Sequence, residues 1–541
     1  MRLLISFSLI ALLATQVALA QEANCSSAEG SNNLTVKTST GTYTGLIDPK
    51  YPNTRQFLSV PFAEPPVLSR RWLPPQKLPP SGKHHYATRM PPSCPQFVTS
   101  VTSLFSLNLT KGNLIYNGNQ NDSSGLVGEA TSEDCLYLAI WAPKDVAPQP
   151  KPNKGLPVLF FITGGGFILG GVDIPWQTPT SWVERSKSHI VVTINYRLDI
   201  MGFPRSRGLP PDKQNLGILD MRAALEWVRD NIAAFGGDPD RITLWGQSAG
   251  SIGADILAYA YYEDPIAQAF WHQSGMILSG PNRQDPTYSN FSFVARHFDC
   301  EFPCDEDGSA ELACMRRVPY AQLINFIGQR NDAGKTPALF FNMVADNLTI
   351  FADYFARAEA GKIARRPAMI SNTANEGSSL VPWPINNITD GPWQPPITAF
   401  DIEGMCSSLN STMYRTRLGV PVFRFLYAGV FPNLNHYKWL GSYHASDITM
   451  AFGTYRILDI IANTTTFQVE VSRSLQDHVL AFAMDPYHGP QKMMGWMPMN
   501  ASEPHGGDMI SFGADGKVVQ HIDGDEVDGA CRGRGGYNPF P

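Results

Sequence analysis

Two kinds of apolar pattern alternate along the chain. Leu156 to Ile162 (LPVLFFI) and His189 to Ile194 (HIVVTI) are continuous apolar runs of strand length. A strand apolar at nearly every position must be covered on both faces. Leu216 to Ala234 instead places its apolar residues at helical spacing (Leu219, Ala223, Leu225, Trp227, Val228, Ile232), and Gly236-Gly237 follows as a helix stop. Ile242 to Trp245 reads as a short strand and Ala249 to Tyr261 as a helix. Ala269 to Gln273, Pro367 to Ser371 and Val422 to Tyr427 are further candidate strands. Buried strands alternating with helices predict an α/β class: a large, mainly parallel mixed sheet with helices on both faces.

The pattern before Ser132 is weaker. Leu34 to Thr38 and Gly41 to Leu46 alternate as a hairpin does, and Pro61 to Pro80 reads as extended connectors. Between Cys94 and Cys135 lies a long loop with one apolar patch, Val98 to Leu109. A loop of that length is usually functional or flexible. No repeat, low-complexity tract or linker interrupts the chain after Ser132, so residues 21–541 are expected to form a single domain.

Composition narrows the class. Of 541 residues 43% are hydrophobic, enough for a sizeable core and too many for wholesale disorder. Lys+Arg number 42 against 48 Asp+Glu, a formal charge of −6, so no basic face for nucleic acid is expected. Met1-Arg2, the apolar stretch Leu3 to Leu13 and Ala18-Leu19-Ala20 together read as a secretory signal over residues 1–20, cleaved after Ala20. That run is short for a membrane span, and no other stretch is apolar enough to cross a bilayer. Sequons at Asn24, Asn33, Asn108, Asn121, Asn290, Asn347, Asn387, Asn410, Asn463 and Asn500 predict a glycosylated surface. The 8 cysteines, an even number, fit an oxidising compartment. The expected location is therefore extracellular or the lumen of the secretory pathway. Cysteine spacing matches no zinc pattern, and no metal or cofactor is expected.

The candidate chemistry begins at Gly246-Gln247-Ser248-Ala249-Gly250, set between a strand and a helix. A serine presented on so sharp a turn needs glycine two residues before and two after it. The helix behind it adds positive potential and free amide N–H groups. Ser248 is the expected nucleophile. Gly164-Gly165-Gly166-Phe167 follows a buried strand, and the N–H groups of Gly165, Gly166 and Ala249 form a candidate oxyanion hole. A serine hydroxyl also needs an imidazole base and a carboxylate to orient it. The residues alone leave His444 and His505 in contention for the base.

Phe62-Ala63-Glu64-Pro65-Pro66, Ser132-Glu133-Asp134-Cys135-Leu136-Tyr137-Leu138, the glycine run, Asn195-Tyr196-Arg197, Phe235-Gly236-Gly237-Asp238-Pro239 and Gln273-Ser274-Gly275 together resemble the type-B carboxylesterase/lipase family (carboxylesterases, cholinesterases and large fungal lipases). The resemblance implies an α/β-hydrolase fold. It implies Glu376, in Asn375-Glu376-Gly377-Ser378, as the acid and His444, in Gly441-Ser442-Tyr443-His444-Ala445-Ser446-Asp447 just ahead of an acidic residue, as the base. The order Ser248, Glu376, His444 is the one this fold requires. It further implies Ser274 as a hydroxyl near the triad, an Arg71–Glu133 ion pair and a Cys94–Cys135 disulfide. Cys314 would pair with Cys300 or Cys304, Cys300 being preferred, and the other cysteines stay unassigned. The 68 positions from Glu376 to His444 are fewer than in cholinesterases, so no choline site carries over. The expected activity is a secreted serine carboxylic-ester hydrolase acting through an acyl-enzyme on a small-molecule or lipid ester. A lipase with a mobile lid, an esterase tailoring a small secondary metabolite and a non-catalytic adhesion relative are the alternatives.

Overall fold

The computed structural model describes residues 34–105, 124–145, 155–279 and 287–541. The signal segment, Asn24, Cys25, Asn33, Asn108 and Asn121 lie outside the described residues.

Eleven strands make one sheet among the described residues. In chain order they are β1 Leu46–Ile47, β2 Thr54–Pro61, β3 Tyr137–Pro143, β4 Leu156–Ile162, β5 Ile190–Ile194, β6 Gly237–Gln247, β7 Ala269–Gln273, β8 Ala368–Thr373, β9 Val422–Tyr427, β10 Asp508–Phe512 and β11 Val519–Asp523. Their spatial order is β11-β10-β9-β8-β7-β6-β4-β5-β3-β2-β1. Every pairing from β5 across to β10 is parallel, and the outer pairings are antiparallel. The expected hairpin is present as Thr35–Lys37 against Thr42–Thr44, in a separate small sheet.

The continuous apolar runs are explained by burial on two sides. Val158, Phe160 and Ile162 of β4 enter one core, and Leu159 and Phe161 enter the other. Helices α1 (Leu216–Asn231) and α2 (Ala249–Ala260) cover the first face with Met221, Leu225, Val228, Ala254 and Leu257. Helix α4 (Thr466–Met484) covers the second with Val471, Leu475, Val479 and Phe482. On that second face Trp245 and Trp271, from adjacent strands, stack at 4.4 Å between ring centroids. The helix expected to reach Ala234 ends at Asn231, and a tighter turn, Ile232–Phe235, leads into Gly236 at φ 97°.

Helix α3 (Gln394–Arg417) lies between β8 and β9 in the chain and carries no readable apolar stripe. Its buried positions mix Ile397, Met405 and Leu409 with Asp401, Ser407, Ser408, Ser411 and Thr412, and two prolines open it. Disulfides join Cys94 to Cys135, Cys300 to Cys314 and Cys406 to Cys531. Cys304 is exposed and has no disulfide partner among the described residues. Arg71 and Glu133 form a part-buried two-pronged pair, with both N–O distances 2.6 Å.

Candidate active site

The three candidate triad residues sit beyond the carboxyl ends of β6, β8 and β9, where parallel sheets leave a crevice. Ser248 follows β6 directly and caps α2 with φ 55° and ψ −125°. Such a backbone costs a non-glycine residue about 1–3 kcal/mol and persists only where its surroundings enforce it. Here they do. The Ser248 N–H donates to the Gln273 carbonyl at 2.9 Å, and its own carbonyl accepts from Ile252 at 2.9 Å. A Cβ on Gly246 would strike the Gly250 carbonyl, and one on Gly250 would strike the carbonyl of Ile162 in β4. Strand, turn and helix can approach this closely only through the two glycines.

Hydrogen bonds tie the loops of the candidate acid and base together. Asn375 N–H donates to Ser442 O at 2.9 Å, and Asn375 Nδ2 donates to the carbonyls of Trp439 and Leu440 at 3.0 Å each. Ser378 Oγ donates to Leu440 O at 2.8 Å, and Ser442 Oγ to Tyr427 O at 2.8 Å. The outcome is a 2.5 Å contact between His444 Nδ1 and Glu376 Oε2, with the two residues 7% and 4% exposed. The amide Nε2 of Gln247 lies 3.2 Å from His444 Nε2. The ionised Glu376 carboxylate only accepts, so the imidazole carries a proton at Nδ1, toward Glu376. That is the tautomer a general base needs. Ser248 Oγ makes no hydrogen bond to His444 here. Catalytic hydrogen bonds are often long in a free enzyme and tighten with substrate.

Burial alone would raise the Glu376 carboxyl. The His444 imidazole and the Thr373 N–H at 2.8 Å outweigh it and hold the group below its ordinary value. Two more carboxyls stand nearby, Asp401 and Asp447. Burial pushes Asp401, on α3, up to about 7, with the Glu376 charge adding to the rise. Burial likewise pushes Asp447 up to about 7, again helped by Glu376. Asp401 Oδ1 accepts from the Gly377 N–H at 2.7 Å and Asp447 Oδ2 from Gln273 Nε2 at 2.6 Å. Nothing in the local sequence marks Asp401, and Asp447 stands only as the acidic residue that follows His444 in the family motif; the apposition of both to Glu376 is long-range.

A cavity of about 240 Å³ opens beside these groups, lined by Ser248, Ser274, Glu376 and His444 together with apolar and polar residues of several elements. Gly165 and Gly166 stand at φ 103° and 64°, and a Cβ on Gly164 would come to 3.1 Å from Ser248 Cβ. The glycine run is therefore against the serine. Gly165, Gly166 and Ala249 are not among the residues lining the cavity. Their amide N–H groups have no hydrogen-bond acceptor among the described residues. His505, the other histidine left open by the residues alone, is exposed and is not part of the cavity wall. Within the Val98 to Leu109 patch, Leu104 is buried in the core while Val101 is exposed, and 106–123 lie outside the described residues. Sequon residues Asn347, Asn387, Asn463 and Asn500 are exposed, and Asn290 and Asn410 are half-buried. Among the described residues no helix is long and apolar enough to cross a membrane, and no group of His, Cys, Asp or Glu could hold a metal ion.

A model of the carboxylesterase family matches residues 32–391, a span that includes Ser248 and Glu376 and stops short of His444. Secreted lipase 5 of Gibberella zeae is 35% identical over 519 residues, 91% of this chain and 92% of that protein. Chlorogenic acid esterase of Aspergillus niger is 35% identical over 514 residues, covering 92% and 94%. Carboxylesterase 1C of Rattus norvegicus is 32% identical over 338 residues, covering 59% and 56%.

Proposed function

Since the chain belongs to the carboxylesterase family, has the α/β-hydrolase fold and is a carboxylic-ester hydrolase, we propose that Ser248, His444 and Glu376 are its nucleophile, base and acid. His444 Nε2 takes the proton as Ser248 Oγ attacks the ester carbonyl. Glu376 holds the imidazole in the required tautomer and stabilises the cation that forms. The N–H groups of Gly165, Gly166 and Ala249 meet the negative oxygen, where losing one donor typically costs about 10²–10³ in kcat. His444 then protonates the leaving alcohol and afterwards activates the water that hydrolyses the acyl-enzyme. Ser274 lines the same cavity and stands as a hydroxyl near the triad in this reading. Residues 21–541 act as one catalytic unit in this reading.

One observation carries it: the 2.5 Å His444–Glu376 contact borders the same cavity as the strained Ser248. In the Ser248→Ala variant, turnover of p-nitrophenyl butyrate should fall by about 10⁴-fold or more, with the fold unchanged by circular dichroism. A fluorophosphonate probe should label the wild type and not the variant. Retained turnover overturns the assignment, and a folded wild type that resists labelling favours the adhesion alternative.

We read the chain as entering the secretory pathway with residues 1–20 as its signal. The relative named a secreted lipase, the disulfides and the exposed sequons support this. The lipase relative also supports a second reading, action on lipid esters. Polar residues in the wall of a 240 Å³ cavity favour compact esters over long acyl chains.

A further inference from the structure

One helix supplies a continuous stretch of the cavity wall. Phe400, Glu403, Gly404, Ser407 and Ser408 all line it, and all belong to α3. Their spacing of three, one, three and one residues puts them on a single helical face. That face presents an aromatic ring, a carboxylate, a position with no side chain and two hydroxyls. Ile252, Met276 and Leu380 from other elements add apolar surface.

The helix is held on its other sides. Asp401 accepts from the Gly377 N–H beside the candidate acid at 2.7 Å. Cys406 is bonded to Cys531. Arg415 Nη2 donates to Asp255 Oδ1 of α2 at 2.6 Å, both side chains being fully buried. A wall fixed at three points along its length sorts substrates rather than adapting to them.

Each residue of the face has a consequence. A Cβ built on Gly404 meets nothing within 4 Å, so the glycine leaves room that any side chain would take from the cavity. Ser407 is 4% exposed, and its Oγ has no hydrogen-bond partner among the described residues. A buried hydroxyl in that state favours a ligand that can pair with it. Ser408 differs: it donates to Asn372 Oδ1 at 2.9 Å. Glu403 is exposed, and apart from Glu376 it is the one carboxylate lining the cavity, where no Lys or Arg is present. Its charge opposes an anionic ligand.

We propose that this face of α3 is the specificity wall of the esterase pocket and that it selects esters of a neutral, partly apolar, hydroxyl-bearing group such as a phenolic ring. Gly404 sets the depth, Ser407 pairs with the ligand hydroxyl, and Glu403 turns anions away. The proposal rests on the assignment of Ser248 as the nucleophile of this cavity and adds the substrate class.

The test uses the full-length secreted protein and ratios of kcat/KM. Gly404→Leu should raise the ratio of methyl acetate to methyl 4-hydroxycinnamate turnover by about tenfold to a hundredfold. Ser407→Ala should lower the preference for methyl 4-hydroxycinnamate over methyl cinnamate by about tenfold. Glu403→Gln should improve chlorogenate relative to its methyl ester by about threefold at low ionic strength, and the gain should vanish near about 0.5 M salt. Unchanged ratios in all three variants overturn the wall. If Gly404→Leu does not fold, Gly404→Ala gives the same comparison with a smaller step. Ser248→Ala separates the two claims: if it silences every ester while the ratios stay unchanged, the wall alone is wrong. If it leaves the esters turning over, the nucleophile assignment is wrong.

Discussion

Gly250 at the start of α2 and Gly404 in the middle of α3 are both helical glycines close to one cavity. At Gly250 an added methyl group would collide with the Ile162 carbonyl of β4, because the elbow brings strand and helix backbones together. At Gly404 it would meet nothing within 4 Å. The same residue type marks a steric necessity in one place and an open volume in the other. The elbow is built from local backbone strain, so its requirement is written in five consecutive residues. The α3 wall is built from side chains whose meaning depends on what lies across the cavity.

The comparison can be broken in three ways, beginning with the largest effect. Glu376→Gln keeps the size of the proposed acid but removes its charge, so in the proposed mechanism the imidazolium loses its stabilising partner. The expected fall in kcat is about 10³–10⁴-fold on every ester, with no change in selectivity. A selectivity change would mean that the acid side of the site also sorts substrates, and the division into a catalytic elbow and a sorting wall would fail.

The second is a matched pair of alanines. Gly250→Ala should destabilise the protein by about 1–3 kcal/mol or more through overpacking at the elbow. Gly404→Ala should stabilise it by up to about 1 kcal/mol, since alanine outranks glycine in a helix interior. Urea unfolding of the two variants measures both. Equal losses would show that α3 is packed as tightly as the elbow.

The smallest effect concerns the buried acids beside Glu376. Asp401 and Asp447 each hold a proton more tightly folded, up to about 7, than the roughly 3.9 of an unfolded aspartate. The folded state then binds the extra protons. Their contribution is fully present below about pH 4 and is lost as pH rises toward about 7. Asp401→Asn and Asp447→Asn keep an oxygen acceptor for Gly377 N–H and Gln273 Nε2. Each should flatten the fall in melting temperature between those pH values. Identical pH slopes in wild type and both variants would remove these acids from the account.

What could be read from the chain alone follows from the range of each interaction. The runs of β4 and β5, the spacing in α1 and the Gly246–Gly250 turn are local demands of burial and backbone geometry, and each occupies neighbouring positions. The histidine needed more. Composition and spacing favour His444 but leave His505 open, and the family resemblance strengthens His444. Only the folded chain puts Asn375 against Ser442 and thereby brings the two side chains to 2.5 Å. Asp401, the lining face of α3 and the apposition of Asp447 to Glu376 are invisible in the sequence for the same reason. A helix of serines, threonines and two prolines shows no apolar stripe, and its polar face acquires a role when Asp401, Cys406 and Arg415 fix it beside Ser248. Sequence determined the elements that local sterics and burial dictate. Tertiary structure decided which distant side chains share a cavity, because that depends on how the elements pack.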